Sequence, residues 1–191
     1  MGSAQDNLAR LAAAVKDTPY VLMLMRHGKT EPYSTNGDAA RELTDTGRKQ
    51  AKAMAKTLES LGLVPDVVAS SAAKRARQTT DRMLKVFGDG PDARYHMDLY
   101  DGGMQALLDE LVHTKESDHK LLIVCHEPTV SIAAQWLSDS DAQGAEATAL
   151  SEMSIGFSPA SVAVLGGSEP FAQWSLHHAA PLALLRPGNV E

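Results

Sequence analysis

The 191-residue sequence predicts an α/β fold: a three-layer sandwich with a mostly parallel central sheet and helices on both faces. Three observations lead to it. Residues 20–25 (YVLMLM) and 121–125 (LLIVC) are apolar without alternation, the pattern of strands buried on both faces of a parallel sheet. Strand-like and helix-like patterns alternate from residue 20 to 137. Three of the expected strands end in polar functional groups, at the edge where open α/β sheets bind ligands.

The elements follow in order. Leu8, Leu11, Ala12 and Val15 recur at helical spacing, so residues 1–18 should hold a short N-terminal helical extension, broken by Asp17, Thr18 and Pro19. The 20–25 strand runs into Arg26, His27 and Gly28. Residues 29–42, polar and containing Pro32, Asn36 and Gly37, read as a loop. Thr44, Asp45 and Thr46 can cap the next helix, on which Ala51, Met54, Ala55, Leu58 and Leu61 share a face, and Gly62 and Pro65 end it. A short strand is expected at 67–70 and a helix at 75–87, stopped by Gly88, Asp89, Gly90 and Pro91. A weaker strand at 95–100 precedes a helix marked by Leu107, Leu108, Leu111 and Val112. The 121–125 strand ends at His126, and a helix runs from Thr129 to Leu137 after Pro128. The small, polar residues 138–148 read as a loop, and 161–165 and 171–176 as closing strands, one of them antiparallel. No repeat, low-complexity segment or linker divides residues 1–191, so one domain is expected.

Composition narrows the function. The chain is 43% hydrophobic and 22% charged, ordinary for a globular protein. Its net charge is -6, and no basic run of five residues occurs, which argues against nucleic acid as a partner. No apolar run approaches the roughly 20 residues of a membrane span, and the first twenty residues lack the core of a signal peptide. Asp6 stands where a myristoylation signal on Gly2 would want Ser or Thr. The single cysteine, Cys125, excludes an internal disulfide and fits a reducing compartment, the cytoplasm. No feature specifies an oligomeric state. An acidic protein that handles an anion must concentrate positive charge locally, and the strand ends supply it. The first ends at Arg26-His27-Gly28, the second at Ser70-Ser71 with Arg75 and Arg77 beyond, the third at Cys125-His126-Glu127-Pro128. A Gly-x-x-x-x-Gly-Lys phosphate loop is absent, and Gly88-Asp89-Gly90 follows a helix as a turn. His96, His113, His119, His177 and His178 show no metal-ligand spacing, so no metal and no cofactor is expected.

Four blocks carry a family resemblance: Arg26-His27-Gly28-Lys29-Thr30; residues 43–51 (LTDTGRKQA); Ser70-Ser71 through Arg75-Ala76-Arg77-Gln78-Thr79; and His126-Glu127-Pro128. In this order, on these elements, the sequence resembles the histidine phosphatase superfamily, which includes phosphoglycerate mutases and acid phosphatases. Its short length, the His-Glu-Pro block, and Asp38 and Arg41 ahead of residue 43 make it most similar to phosphohistidine phosphatases of the SixA type. The resemblance implies a phosphoglycerate mutase-like fold and a cofactor-independent phosphatase. It implies His27 as nucleophile, its second ring nitrogen on a backbone carbonyl, and Arg26, Arg75 and His126 as phosphoryl ligands, with Gly28 and Lys29 at the substrate. Glu127, following the second histidine, or Asp101, or no dedicated residue, would protonate the leaving group. The chemistry suits such a set, because phosphoryl transfer is catalysed mainly by positioning and fixed donors, and forked arginines match phosphoryl oxygens. The substrate implied is phosphohistidine in a protein; a small phosphomonoester such as a sugar phosphate is the alternative, followed by a mutase and a non-catalytic phosphate-binding module.

Each residue also has a plainer reading. A lone His27 is compatible with a core histidine, Lys74, Arg75 and Arg77 with a solvated helix face, His126 with a cap before Pro128, Glu127 with a helix-start charge, and Lys29 with a solvated lysine. Ser70 and Ser71 read as structural caps, and Cys125 as a buried thiol. Two departures from the family pattern stand out: Ala72 where proline is usual, and Cys125 where glycine is common before the histidine.

Overall fold

The structure, a computed structural model, describes residues 4–189; Gly2 and the start of the expected 1–18 extension lie outside them. Six strands form one sheet in the order β3-β2-β4-β1-β5-β6. β1 (Tyr20–Arg26), β2 (Val67–Ser71), β3 (Asp92–His96) and β4 (Lys120–Cys125) pair in parallel, while β5 (Val162–Gly167) runs antiparallel to β1, and β6 (Ala180–Leu185) antiparallel to β5. Both closing pairings are therefore antiparallel, where one was expected.

The unbroken apolar runs of β1 and β4 follow from double burial. Leu22 and Leu24 join Leu121, Ile123 and Cys125 on one face of the sheet, and Val21, Met23 and Met25 join Leu122 and Val124 on the other. The second face is covered by α1 (Ala4–Lys16), α2 (Asp45–Ser60) and α3 (Lys74–Phe87), through Leu11, Val15, Met54, Leu58 and Met83. The first face is covered by α5 (Gly103–His113), α6 (Thr129–Leu137) and α7 (Gly144–Ser154), with the short α4 (Asp98–Asp101) ahead of α5. This is the expected three-layer arrangement. Because β2, β4 and β1 are adjacent and parallel, their carboxyl ends meet at one edge of the sheet.

Three expected elements are corrected. The strand placed at 95–100 is instead Asp92–His96, and 98–101 is helical. β3 is a half-exposed sheet edge held by its backbone ladder to β2, so it never needed an apolar run. The loop at 138–148 gives way to α7 from Gly144. That helix buries only Ala149 and Met153, and its alanines mask any amphipathic period. Residues 171–176 are not a strand: Phe171–Gln173 is a 3-10 turn whose Phe171 packs between the rings of Tyr20 and Trp174. The last strand is Ala180–Leu185, whose Pro181 is tolerated because β6 is the other sheet edge.

Candidate active site

The loop after β1 is held almost entirely by backbone. The His27 N–H donates to the Cys125 carbonyl at 3.2 Å, and the Ala160 N–H donates to the carbonyls of Arg26 at 3.1 Å and His27 at 3.0 Å. Side chains from the neighbouring blocks complete the mounting. Thr79 Oγ1 accepts from Gly28 N at 3.1 Å, Gln50 Oε1 from Lys29 N at 3.0 Å, and Gln78 Oε1 from Leu43 N at 2.8 Å. Thr44 caps α2 by accepting from Gly47 N at 3.0 Å while its hydroxyl donates to the Lys29 carbonyl at 3.2 Å. Gly28 and Gly47 face each other: a Cβ on Gly47 would lie 2.1 Å from the Lys29 carbonyl oxygen, and one on Gly28 2.7 Å from the Gly47 oxygen. The 43–51 block thus acts as the seat on which the 26–30 block rests.

His27 is 7% exposed. Its Nδ1 lies 2.8 Å from the Gly28 carbonyl. A carbonyl only accepts, so Nδ1 carries the proton and Nε2 presents its lone pair. Burial, followed by the positive charges of His126, Arg75 and Arg26, lowers the ring's pKa to about 3, against the stabilising bond to Gly28. The ring is therefore neutral at physiological pH. Arg75 Nε donates to this Nε2 at 3.2 Å.

The rest of the Arg75 guanidinium is held by Asp38, in the 3-10 turn Asp38–Ala40: Nη1 donates to the Asp38 carbonyl at 2.7 Å and Nη2 to Asp38 Oδ2 at 3.0 Å. Tyr100 donates to the same Oδ2 at 2.9 Å, and Arg41 Nη1 to Oδ1 at 3.0 Å. Arg41, Tyr100 and Arg75 hold the Asp38 carboxyl well below the usual carboxylate range. Tyr100 also stands edge-on to His126, centroids 5.5 Å apart.

The His126 ring lies 5.1 Å from that of His27, centroid to centroid. Burial, then Arg75, lowers its pKa to about 4. Its Nε2 is 2.8 Å from Ser71 Oγ, which already accepts from Ala73 N at 3.2 Å. With the serine proton directed to Nε2, the ring proton lies on Nδ1. His126 Nδ1 and Arg26 Nε are buried with no hydrogen-bond partner among the described residues, a circumstance that costs about 1–3 kcal/mol per group. Arg26 Nη1 donates to the Phe157 carbonyl at 2.6 Å.

His27, Arg75 and His126 are thus brought together, with Arg26 and Gly28 in the adjoining backbone. Glu127 is directed elsewhere. Its Oε1 accepts from Phe157 N at 2.6 Å and its Oε2 from Ser131 Oγ at 2.6 Å, so the carboxylate ties α6 to the turn before β5. Lys29 is exposed, and its ammonium makes no hydrogen bond or ion pair among the described residues; Asp101 is exposed at the end of α4. Arg77 turns outward, its guanidinium 4.2 Å from the Tyr95 ring centroid. Ala72 uses the N–H that proline would lack, donating to the His96 carbonyl at 3.0 Å. Cys125 is fully buried, its thiol pushed up to about 12 by desolvation. Tyr100 was missed in the sequence because it falls in a segment read as strand, and Ser71 was read only as a cap; a hydroxyl directly at a strand end, two residues past an apolar run, was the available signal for the serine. Among the described residues no three His, Cys, Asp or Glu gather as metal ligands, and no helix is long and apolar enough to cross a membrane.

The chain is similar to several known proteins. Residues 22–101 match the family model described as histidine phosphatase superfamily (branch 1), a span that contains Arg26, His27 and Arg75 and ends before His126. An uncharacterised protein of Mycobacterium tuberculosis, MT1313, is 31% identical over 141 residues, 74% of this chain and 85% of its own length. The 2,3-bisphosphoglycerate-dependent phosphoglycerate mutase of Streptomyces avermitilis is 39% identical over 72 residues. That match covers 36% of this chain and only 28% of the mutase. Among solved structures, a protein assigned as a phosphohistidine phosphatase SixA from Nakamurella multipartitia superposes with a TM-score of 0.71 at 28% identity, covering 88% of this chain and 96% of that one.

Proposed function

The chain belongs to the histidine phosphatase superfamily, and on that premise we propose that it is a phosphatase acting through a phosphohistidine on His27, with phosphohistidine in a protein as its substrate. The observation that carries the reading is the pair of fixed bonds on one imidazole, Nδ1 to the Gly28 carbonyl and Nε2 toward Arg75. Together they make a neutral, aimed nucleophile at physiological pH.

In the first step the Nε2 lone pair attacks phosphorus. The P–Nε2 bond forms as the bond to the leaving group breaks, and the leaving group departs with its electron pair and takes a proton. Arg75, Arg26 Nε and His126 Nδ1 donate to the phosphoryl oxygens, which gives the two unpartnered buried donors a partner. As the phosphoryl anion arrives, His126 gains affinity for a second proton. In the second step water attacks phosphorus and gives up a proton to solvent, the P–Nε2 bond breaks with its electron pair returning to Nε2, and inorganic phosphate leaves. Glu127 serves this site as a clamp, since both of its oxygens are committed to Phe157 and Ser131. A phosphoramidate nitrogen departs readily once protonated, so phosphohistidine suits a site with no dedicated acid. The likeness to the Nakamurella protein supports that substrate. The second reading, a small phosphomonoester phosphatase, rests on the match to the Streptomyces mutase. The same reading treats the chain as one catalytic domain with α1 as an extension, working in a reducing compartment such as the cytoplasm, which suits a chain whose only cysteine is a buried free thiol.

The test is a quench with labelled phosphohistidine protein. Alkali-stable, acid-labile label on the enzyme is expected. His27→Ala should abolish that label and lower turnover by more than about 10⁴-fold, as loss of a nucleophile does. Full turnover by His27→Ala refutes the mechanism. A kcat/KM that favours sugar phosphates over phosphohistidine by orders of magnitude shifts the substrate to the second reading.

A further inference from the structure

Resting on the reading of this site as a phosphoryl-transfer centre, we propose that Asp38 is a positioning residue for Arg75: it grips the outer end of the guanidinium fork so that the inner edge stays aimed at a phosphoryl group on His27. The guanidinium offers five N–H donors in one plane. Asp38 takes one from Nη1, through its backbone carbonyl at 2.7 Å, and one from Nη2, through Oδ2 at 3.0 Å. One residue accepting from both Nη atoms sits across the end of the fork. The side edge remains, made of Nε–H and the Nη2–H parallel to it, and Nε already points at His27 Nε2 from 3.2 Å. That edge is the two-pronged donor that matches a pair of phosphoryl oxygens.

The grip is itself held by two further donors. Tyr100, on α4, donates to Oδ2 at 2.9 Å, and Arg41 Nη1 donates to Oδ1 at 3.0 Å. Arg41 is fixed in turn by its Nε on the Glu31 carbonyl at 2.9 Å and its Nη2 on Thr30 Oγ1 at 2.6 Å. The loop between β1 and α2, α3 and α4 therefore converge on one carboxylate. Asp38 lies on the solvent side of the contact and Arg75 on the inside, with side chains 51% and 7% exposed. An ion pair to an exposed carboxylate contributes little to stability, so a three-donor arrangement around Asp38 is better accounted for by the aim it imposes on Arg75. The same three donors keep Asp38 ionised, so it has no proton to give a leaving group. An alternative use of the same geometry is that Asp38 occupies the phosphoryl position as an internal anion, and the experiment separates the two.

The experiment is a double-mutant cycle on the full chain, with Asp38→Asn, Asp38→Ala, Arg75→Ala and the two combinations. Turnover of p-nitrophenyl phosphate is measured beside calorimetric binding of inorganic phosphate. Losing the grip should lower kcat/KM by about 10–100-fold, the size of charge-assisted hydrogen bonds, mainly in kcat because the fork is misaimed rather than missing. Phosphate binding should weaken by about threefold, since the ground state asks less of alignment. In the Arg75→Ala background the same Asp38 changes should have under about twofold effect on either readout. Equal losses in both backgrounds overturn the proposal, because a merely structural role does not depend on Arg75. Tighter phosphate binding or faster turnover in Asp38→Asn also overturns it, in favour of the internal anion. If the wild-type chain binds phosphate but turns over neither p-nitrophenyl phosphate nor phosphohistidine protein, the phosphatase reading fails while the binding cycle still decides the role of Asp38. If it binds no phosphate, both fall.

Discussion

The two halves of the sheet are built for different ends. At the carboxyl edge of the parallel strands β2, β4 and β1 sit His27, Arg75 and His126, the basic side chains buried below a tenth exposure among the described residues. Across the antiparallel half, α1, α7 and β6 enclose a cleft of about 640 Å³, lined by residues such as Leu8, Leu11, Ala149, Leu182 and Leu184. None of His27, Arg75 and His126 lines that cleft. The marks of the charged edge are neutral buried histidines and donors without partners. A site that acts on a phosphoryl group needs few cubic ångströms and many aimed donors, so unsatisfied buried polarity locates it better than volume does.

Substitutions can break this comparison. The largest effect after loss of His27 itself is expected at Arg75→Lys, which keeps the charge but loses the fork shared by His27 and Asp38. Turnover should fall by about 10²–10³-fold, the scale of a lost oxyanion donor. Steady-state kinetics that stay within threefold of wild type would show that the charge alone suffices.

Acid should act on the same edge through stability. His27 and His126 titrate near 6.5 when unfolded and at about 3 and about 4 when folded. Between pH 6.5 and about 4 the unfolded chain therefore binds protons that the folded chain refuses. Stability is complete above pH 6.5 and is lost as pH falls, by up to about 1.4 kcal/mol per pH unit for each histidine. Melting temperatures at pH 5 and pH 7 check it, and His126→Asn should shrink the difference. An unchanged difference would mean that the buried edge is not what acid attacks.

The smallest catalytic effect belongs to the other half. Leu11→Ala removes a side chain 4% exposed under α1 and should cost about 2–4 kcal/mol of stability. With chemical denaturation to monitor folding, kcat/KM of the folded fraction should stay within about twofold of wild type, because large-to-small core changes are felt locally. A loss of tenfold or more would tie the α1 cleft to catalysis and end the division between the halves.

Much of the parallel half was readable from the chain. Residues 21–25 and 121–125 are buried on both faces because their side chains are apolar throughout, and of the cap candidates Thr44 to Thr46 it is Thr44 that accepts from Gly47 N. The four blocks then brought His27, Arg75 and His126 to one edge, because parallel strands align their carboxyl ends. The antiparallel half was less readable. Pro181 disguised β6, the alanines of α7 erased its period, and the apolar Phe171 was a core plug rather than a strand residue. Those elements owe their conformation to neighbours, which propensity does not record.

Within the site the division is sharper. The sequence by itself determined that a histidine follows β1 and that polar functional groups end three strands, because apolar runs, glycine and caps act over a few residues. Its helical pattern did not separate Arg75 from Arg77; the choice of Arg75 came from the family resemblance alone. Only the tertiary structure decided that Arg75 meets His27 while Arg77 lies on Tyr95, that Glu127 is spent on Phe157 and Ser131, and that Asp38 and Tyr100 converge on Arg75. Asp38 and Tyr100 are 62 positions apart, and Asp38 and Arg75 are 37 apart. No helical or strand period spans such distances; only the packing of the loop, α3 and α4 against the sheet edge closes them.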